Sequence, residues 1–319
     1  MIPDKAAIID MGTNTFHLVL VEVYEDHYNT LFKEKIAVKI GQGGISENTI
    51  SKDAQKRAFH TLRHFKNLID GENIQKVYAF ATSAVRNAKN GQEFVEEIYK
   101  KLGISVNVID GDQEAQLIYE GIRLSGSLNA ENYLMMDIGG GSVEFIIGNA
   151  TEALWKKSYE IGGQRMLDLF HYHDPILAVE VEKLIDFLGG KLETLVDAIQ
   201  LYKPTGLVGA SGTFDTLTDI YYASLHQQKP RNQQAFQLPR NAFEEIAGKL
   251  LTLDKAERLK IPGMIPMRVD MIVVASCLIE YILTVLPVQT ITCSSFALKE
   301  GAISLLMGKG SQMAVQPAT

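Results

Sequence analysis

The chain of 319 residues is poor in cysteine, with two, in tryptophan, with one, and in proline, with nine. Cys277 and Cys293 both sit in apolar runs. They exclude a disulfide framework and predict a reduced, cytoplasmic protein. The N-terminus, MIPDKAAIID, lacks the basic start and apolar stretch of a secretory signal. The longest apolar run, 271–286, is interrupted by Glu280 and falls short of the ~20 residues a membrane span needs, so it predicts a buried core helix. Positive charge is also scarce. Lys and Arg total 31 against 38 Asp and Glu, and the net charge of -7 excludes a general binder of nucleic acid or anionic membranes. No zinc-type Cys/His spacing occurs, and the two histidines of HYH (171–173) cannot share a helical face. With 46% apolar and 22% charged residues the chain is an ordinary globular one, long enough for two domains.

What is present is a duplicate. AAIIDMGTNTFHLVLVEV (6–23) and YLMMDIGGGSVEFII (133–147) align at a constant offset of 127, taking Asp10 to Asp137, Gly12 to Gly139, Thr15 to Ser142 and Leu18 to Phe145. Each copy is an apolar run ending in Asp, a turn of small residues and a second apolar run, the pattern of a β-hairpin. VYAFATSA (77–84) and GLVGASGT (206–213) echo one another more faintly as buried strands ending in small hydroxyl residues. A helix precedes each: 51–70, with Ala58, Leu62, Phe65 and Ile69 on one face, and 179–202, with Leu184, Phe187, Leu188, Leu192 and Leu195. A second helix follows each. Two similar α/β domains facing across a cleft are expected. The polar stretch 125–132 is read as the boundary between them and the Gln-rich stretch 226–240 as an exposed loop.

A glycine-rich turn leaves successive backbone N–H groups able to point at an anion. Gly139, Gly140, Gly141 and Ser142 form one such cradle; Gly12, Thr13, Asn14 and Thr15 form the other. One alone reads as a tight hairpin turn. Two, each preceded by an Asp at a strand end, fit a phosphate–Mg²⁺ site, because Mg²⁺ takes one or two carboxylates plus water and phosphate oxygens. Glu144 shares a strand face with Ser142, so Asp137 and Glu144 flank one metal or one water; the plainer alternative is a solvated strand residue. His17 stands at the matching place in the first copy, which biases catalysis to the second. Glu114 falls in the first turn of a helix capped by Asp112, where the helix dipole alone accounts for a carboxylate, worth ~0.3–1 kcal/mol. Arg86 follows a strand end and reads equally as a bidentate phosphate clamp or a surface arginine. Gly209, Ser211, Gly212 and Thr213 are placed to line a nucleotide or chain pocket, and read equally as a plain strand–turn. Lys52, Lys56, His60 and Arg63 line one helical stripe that reads as a solvated face, with the guiding of an anionic chain as the other reading.

Taken together and in order, IIDMGTNTFHLVL, GQGGISENTIS, ATSAVRNAKN, DGDQEAQLIYEGI, MMDIGGGSVEFIIG, LVGASGTFDTL and SSFALKEGAI resemble the exopolyphosphatase / guanosine pentaphosphate phosphohydrolase family, within the acetate and sugar kinase–Hsp70–actin superfamily. The resemblance implies an α/β fold of two actin-like (ribonuclease H-like) domains, 1–126 plus 297–319 and 127–296, with the active site in the interdomain cleft and a last helix at about 297–310 returning to the first domain. It places the catalytic glutamate on Glu114, overturning the dipole reading. It assigns Asp137 and Glu144 to a metal, Mg²⁺ or another hard divalent cation, with Glu144 also catalytic, and residues 139–142 and Arg86 to phosphate. Gln116 replaces a usual Arg, Val143 a usual Thr, and Ala297 and Lys299 a Gly and an Arg. Longer members continue into an HD-type helical domain and a further C-terminal domain, neither of which is expected in a chain ending at Thr319. The expected reaction is release of orthophosphate from the end of inorganic polyphosphate or, alternatively, from guanosine pentaphosphate. Nucleic-acid and membrane partners are not expected, and a homodimer is left open. Two other classes remain: a small-molecule phosphotransferase, which needs an acceptor, and a non-catalytic nucleotide sensor, which binds without releasing phosphate.

Overall fold

Burial in β1 (Asp4–Met11) is nearly continuous: Ala6, Ala7, Ile8, Ile9 and Met11 are all buried, as a strand covered on both faces requires. β1 pairs antiparallel with β2 (Thr15–Val23), and β2 with the largely exposed edge strand β3 (Tyr28–Ala37). Ser51 Oγ accepts from Ala54 N and caps α1 (Lys52–Gly71), which buries Ala58, Leu62, Phe65 and Ile69. Next come β4 (Lys76–Ala81), α2 (Ser83–Arg86), α3 (Gly91–Leu102), β5 (Val106–Val108) and α4 (Gly111–Leu124). β4 and β5 join in parallel, completing a sheet of order β3-β2-β1-β4-β5. The computed structural model describes residues 4–230 and 232–309.

The second sheet begins with β6 (Tyr133–Ile138), β7 (Val143–Gly148) and β8 (Ala153–Tyr159) as an antiparallel meander. Helices α5 (Gly163–Phe170), α6 (Ala178–Lys191) and α7 (Glu193–Tyr202) lead to β9 (Gly206–Ala210), parallel to β6. Then follow α8 (Ser211–Ser224), β10 (Ala235–Pro239), α9 (Arg240–Thr252), α10 (Lys255–Arg258), α11 (Met271–Val285) and β11 (Thr290–Ser294). The order β8-β7-β6-β9-β11-β10 repeats the first sheet strand for strand and adds β10 antiparallel at the edge. α12 (Leu298–Leu306) is the last element of the described chain. One unit comprises Met1–Gly121 with Leu298–Thr319, the other Ile122–Ala297, and the changeover falls inside α4. Within the first unit α12 crosses α4 closely enough that a Cβ at Gly301 would overlap the Leu117 carbonyl.

The hairpins form where expected, and 271–286 is a core helix with every residue from Met271 to Ile279 buried. Among the described residues no helix is long and apolar enough to cross a membrane. Three expectations are corrected. Each hairpin has a third strand, β3 or β8, whose half-exposed pattern carries no strong apolar signal. The helix expected at 179–202 is two helices that meet at Leu192. The end of 226–240 is not an exposed loop, because Phe236 and Leu238 are buried in β10; Arg231 lies outside the described residues. The helix expected at 297–310 spans Leu298–Leu306, and residue 310 also lies outside the described residues.

Candidate active site

In the first unit the turn between β1 and β2 closes with Gly12 N donating to Thr15 O (3.1 Å), and Thr13, Asn14 and Thr15 are buried. Its carbonyls are held from one side: Lys39 N donates to Asn14 O (2.9 Å) and Gly41 N to Thr13 O (3.1 Å). Because each peptide is planar and trans, the N–H groups of Asn14 and Thr15 point the opposite way. His17 Nε2 lies 3.0 Å from Thr15 Oγ1. Asp10 stands directly opposite His17 in the β-ladder.

The same unit brings Arg86 and Glu114 together. Arg86, ending α2 just beyond β4, donates from Nη1 to Glu114 Oε2 (2.8 Å) and to Ile109 O (3.0 Å). Both side chains are largely buried, 16% and 8% exposed, so this is no solvated surface pair. The capping residue is Asp110 rather than Asp112: its Oδ1 accepts from Gln113 N (2.8 Å) while Gln113 Oε1 accepts from Asp110 N (3.0 Å). That reciprocal cap starts α4 one residue after Asp110 and puts Glu114 on its buried side. Two turns of sequence further, buried Glu120 accepts from Gln116 Nε2 (3.0 Å), so the residue noted as replacing an Arg serves a second carboxylate that the sequence did not single out.

In the second unit, Asp137 at the end of β6 and Glu144 at the start of β7 are directly opposed in the ladder, 6% and 1% exposed. Two carboxylates at opposed positions repel, and burial strengthens the repulsion, so the hairpin does not place them there for stability. Serine hydroxyls attend both: Ser211 Oγ donates to Asp137 Oδ2 (2.7 Å) and Ser158 Oγ to Glu144 Oε1 (2.7 Å). Ser211, the first residue of α8, takes a left-handed φ of 69°, a conformation that costs a non-glycine residue roughly 1–3 kcal/mol. The Arg268 guanidinium lies on the first turn of α8, where a Cβ at Gly212 would collide with it. Burial lowers the Arg268 pKa from its usual value, while Asp137 and Asp215 act to raise it. No sequence signal marked Arg268, a lone arginine ahead of an apolar helix. Its Nε has no hydrogen-bond partner among the described residues.

The turn at 139–142 is buried at Gly140, Gly141 and Ser142, and its three glycine carbonyls all accept from the entrance of α5. The GASGT segment divides. Ser211 and Gly212 border Asp137 and Arg268, and Thr213 is buried beside them in α8, whereas the space above Gly209 is filled by the Phe214 ring. Lys52, Lys56, His60 and Arg63 are all exposed on α1, and Lys56 pairs with Asp53 (3.1 Å).

Two buried carboxylates facing each other, with hydroxyl neighbours, are a donor set that fits a hard divalent cation. Mg²⁺ needs only one or two protein carboxylates and takes its remaining ligands from water and phosphate. Among the described residues no group of three or more His, Cys, Asp or Glu forms a protein cage for a metal.

Comparison with known proteins agrees with this architecture. A crystallised exopolyphosphatase of Cytophaga hutchinsonii is 41% identical, with a TM-score of 0.93 over 97% of this chain and 99% of that one. Exopolyphosphatase 1 of Mycobacterium leprae is 26% identical over 301 residues, 94% of this chain and 88% of the relative. A guanosine-5'-triphosphate,3'-diphosphate pyrophosphatase of Aeromonas hydrophila is 28% identical over 303 residues; these are 95% of this chain but only 59% of that longer protein. The family model of the Ppx/GppA phosphatases matches residues 19–309, and the chain belongs to the Ppx/GppA phosphatase family.

Proposed function

We propose that this protein hydrolyses the terminal phosphoanhydride of inorganic polyphosphate and releases orthophosphate. The observation that carries this reading is the buried, directly opposed pair Asp137 and Glu144 beside a glycine turn, a costly arrangement that a phosphate-bound cation would relieve. Two relatives matched over most of their own length, from C. hutchinsonii and M. leprae, are named exopolyphosphatases. Guanosine pentaphosphate is the second reading, favoured by the name of the A. hydrophila relative.

The chemistry follows from the residues. The N–H groups of the 139–142 turn hold oxygens of the terminal phosphate. Arg86 fixes the orientation of Glu114 through their ion pair. Glu114 accepts the proton of the attacking water as its oxygen closes on the terminal phosphorus, while the bond from that phosphorus to the bridging oxygen breaks and its electron pair leaves with the oxygen that ends the shortened chain. Ser211 holds Asp137 through its hydrogen bond to Oδ2, and the buried Arg268 charge interacts with the same carboxylate. Asp137 and Glu144 are the residues that would hold Mg²⁺, which when bound neutralises charge on the transferring phosphoryl group.

The reading is tested by incubating the protein with Mg²⁺ and either polyphosphate or guanosine pentaphosphate and comparing initial rates of orthophosphate release. Faster release from polyphosphate is expected. Faster release from the nucleotide selects the second reading, and release from neither removes both. Asp137→Asn, which keeps an acceptor for Ser211, is expected to raise the Mg²⁺ concentration giving half-maximal rate by about tenfold or more. An unchanged Mg²⁺ requirement removes Asp137 from that role.

A further inference from the structure

The 139–142 turn is gripped by its carbonyls. Gly163 N donates to Gly139 O (2.8 Å), Gln164 N to Gly140 O (2.8 Å) and Gly162 N to Gly141 O (3.2 Å). All three donors come from the entrance of α5, where backbone N–H groups find no partner within the helix. The turn therefore caps the helix and the helix fixes the turn. Gly162 allows the approach, because a Cβ there would overlap the backbone of Gly140 and Gly141. With the three carbonyls held on one side, planarity directs the N–H groups of Gly140, Gly141 and Ser142 to the other.

The longest of the three bonds is the one at Gly141, and there a side chain is added. Arg165 Nε donates to Gly141 O (2.9 Å), and its Nη2 pairs with Glu160 (3.2 Å). The arginine is 15% exposed and Glu160 43%. A guanidinium seeking only a surface partner would turn its fork to the carboxylate; this one splits its donors between a carboxylate and a turn carbonyl. The first unit repeats the arrangement at one remove. Arg57 donates to Val38 O (2.7 Å) and Lys39 O (2.8 Å), bracing the segment whose N–H groups hold Thr13 O and Asn14 O.

We infer that Arg165 is a positioning residue: braced on Glu160, it holds the Gly141 carbonyl so that the 139–142 turn keeps its N–H groups aimed at the phosphate. This rests on the proposed phosphate-binding role of that turn. Arg165 acts through the backbone and does not touch the reacting atoms. Its removal leaves Gly141 O with the 3.2 Å bond alone, and the peptide joining Gly141 to Ser142 gains freedom to rotate.

The test uses the full chain with Arg165→Met, Arg165→Lys and Glu160→Gln. Amide hydrogen exchange over residues 162–164, binding of inorganic phosphate, and the kinetic constants for phosphate release are measured. Arg165→Met is expected to speed exchange at 162–164, whose N–H groups are bonded to the turn carbonyls, by about tenfold, the loss of one charge-assisted hydrogen bond. It should raise the phosphate Kd and the substrate KM by a comparable factor while kcat changes less. Arg165→Lys, which keeps a donor for Gly141 O, should recover most of the binding. Unchanged exchange in Arg165→Met overturns the inference, as does a fall in kcat at constant KM that Lys does not restore, which would make Arg165 a reacting-site residue. Should Arg165→Met not fold, Glu160→Gln decides, with faster exchange expected and unchanged exchange contradicting. If the wild type releases no phosphate from either substrate, the exchange measurement still judges Arg165, and only the functional reading falls.

Discussion

Glu114→Gln is expected to slow orthophosphate release by about 10²–10⁴-fold, the range that a general base contributes. The substitution is isosteric. Its amide oxygen can still accept from Arg86 Nη1, and Arg86 keeps its second bond to Ile109 O, so the local fold should survive. What is lost is the ability to take a proton from water. KM should therefore change little while kcat falls, the signature of an interaction made only in the transition state. A variant that keeps more than about a third of the wild-type rate would remove Glu114 from this role. Binding without any release by the wild type would instead favour a nucleotide sensor, and release that depends on an added acceptor a phosphotransferase.

The largest stability effect is expected at Arg258. Its side chain is fully buried and donates to Leu253 O (2.6 Å), Val269 O (3.0 Å) and Asp174 Oδ1 (2.7 Å), tying α10 to the segment that enters α11. Arg258→Met keeps the bulk but strands two carbonyls and a carboxylate. Breaking a buried pair from one side costs about 3–5 kcal/mol, and the lower end applies because Asp174 is 35% exposed. A fall in melting temperature of roughly 10 °C at pH 7 is expected. The effect should also depend on pH. Burial raises the Asp174 pKa, but the bonds from Arg258 and from Lys255 N lower it further, leaving it below its ordinary 3.8. A depressed carboxylate contributes stability above that ordinary value and loses it as the pH falls through the folded-state pKa. The gap between wild type and Arg258→Met should therefore narrow below about pH 4, and melting curves at pH 7 and in acid would show whether it does.

How much of this was legible in the sequence depends on the range of the interaction. The hairpins were, because an apolar run, an Asp, small residues and a second apolar run are contiguous. The opposition of Asp137 and Glu144 follows once the turn between them is fixed. β3 and β8 were not, because edge strands such as YNTLFKEKIA alternate weakly and are held by partners rather than by their own burial. Glu114 shows the limit most clearly. Its position in a first helical turn favours a dipole explanation, the family resemblance replaces that explanation, and the physical reason for a buried carboxylate is an arginine 28 positions away in sequence. Arg268, Ser158 and Arg165 were missed for the same reason: each acts across the fold, with no local pattern to mark it. The Asp110 cap was missed by two residues, which is how finely a run of Asp, Gly, Asp and Gln can be placed without coordinates.

The central claim is that water, deprotonated by Glu114, attacks the terminal phosphorus. Hydrolysis in ¹⁸O-labelled water tests it most directly, with the products resolved by mass. The account predicts one solvent oxygen in each orthophosphate released and none in the shortened chain. Label in the shortened chain, or orthophosphate released without it, would contradict the claim.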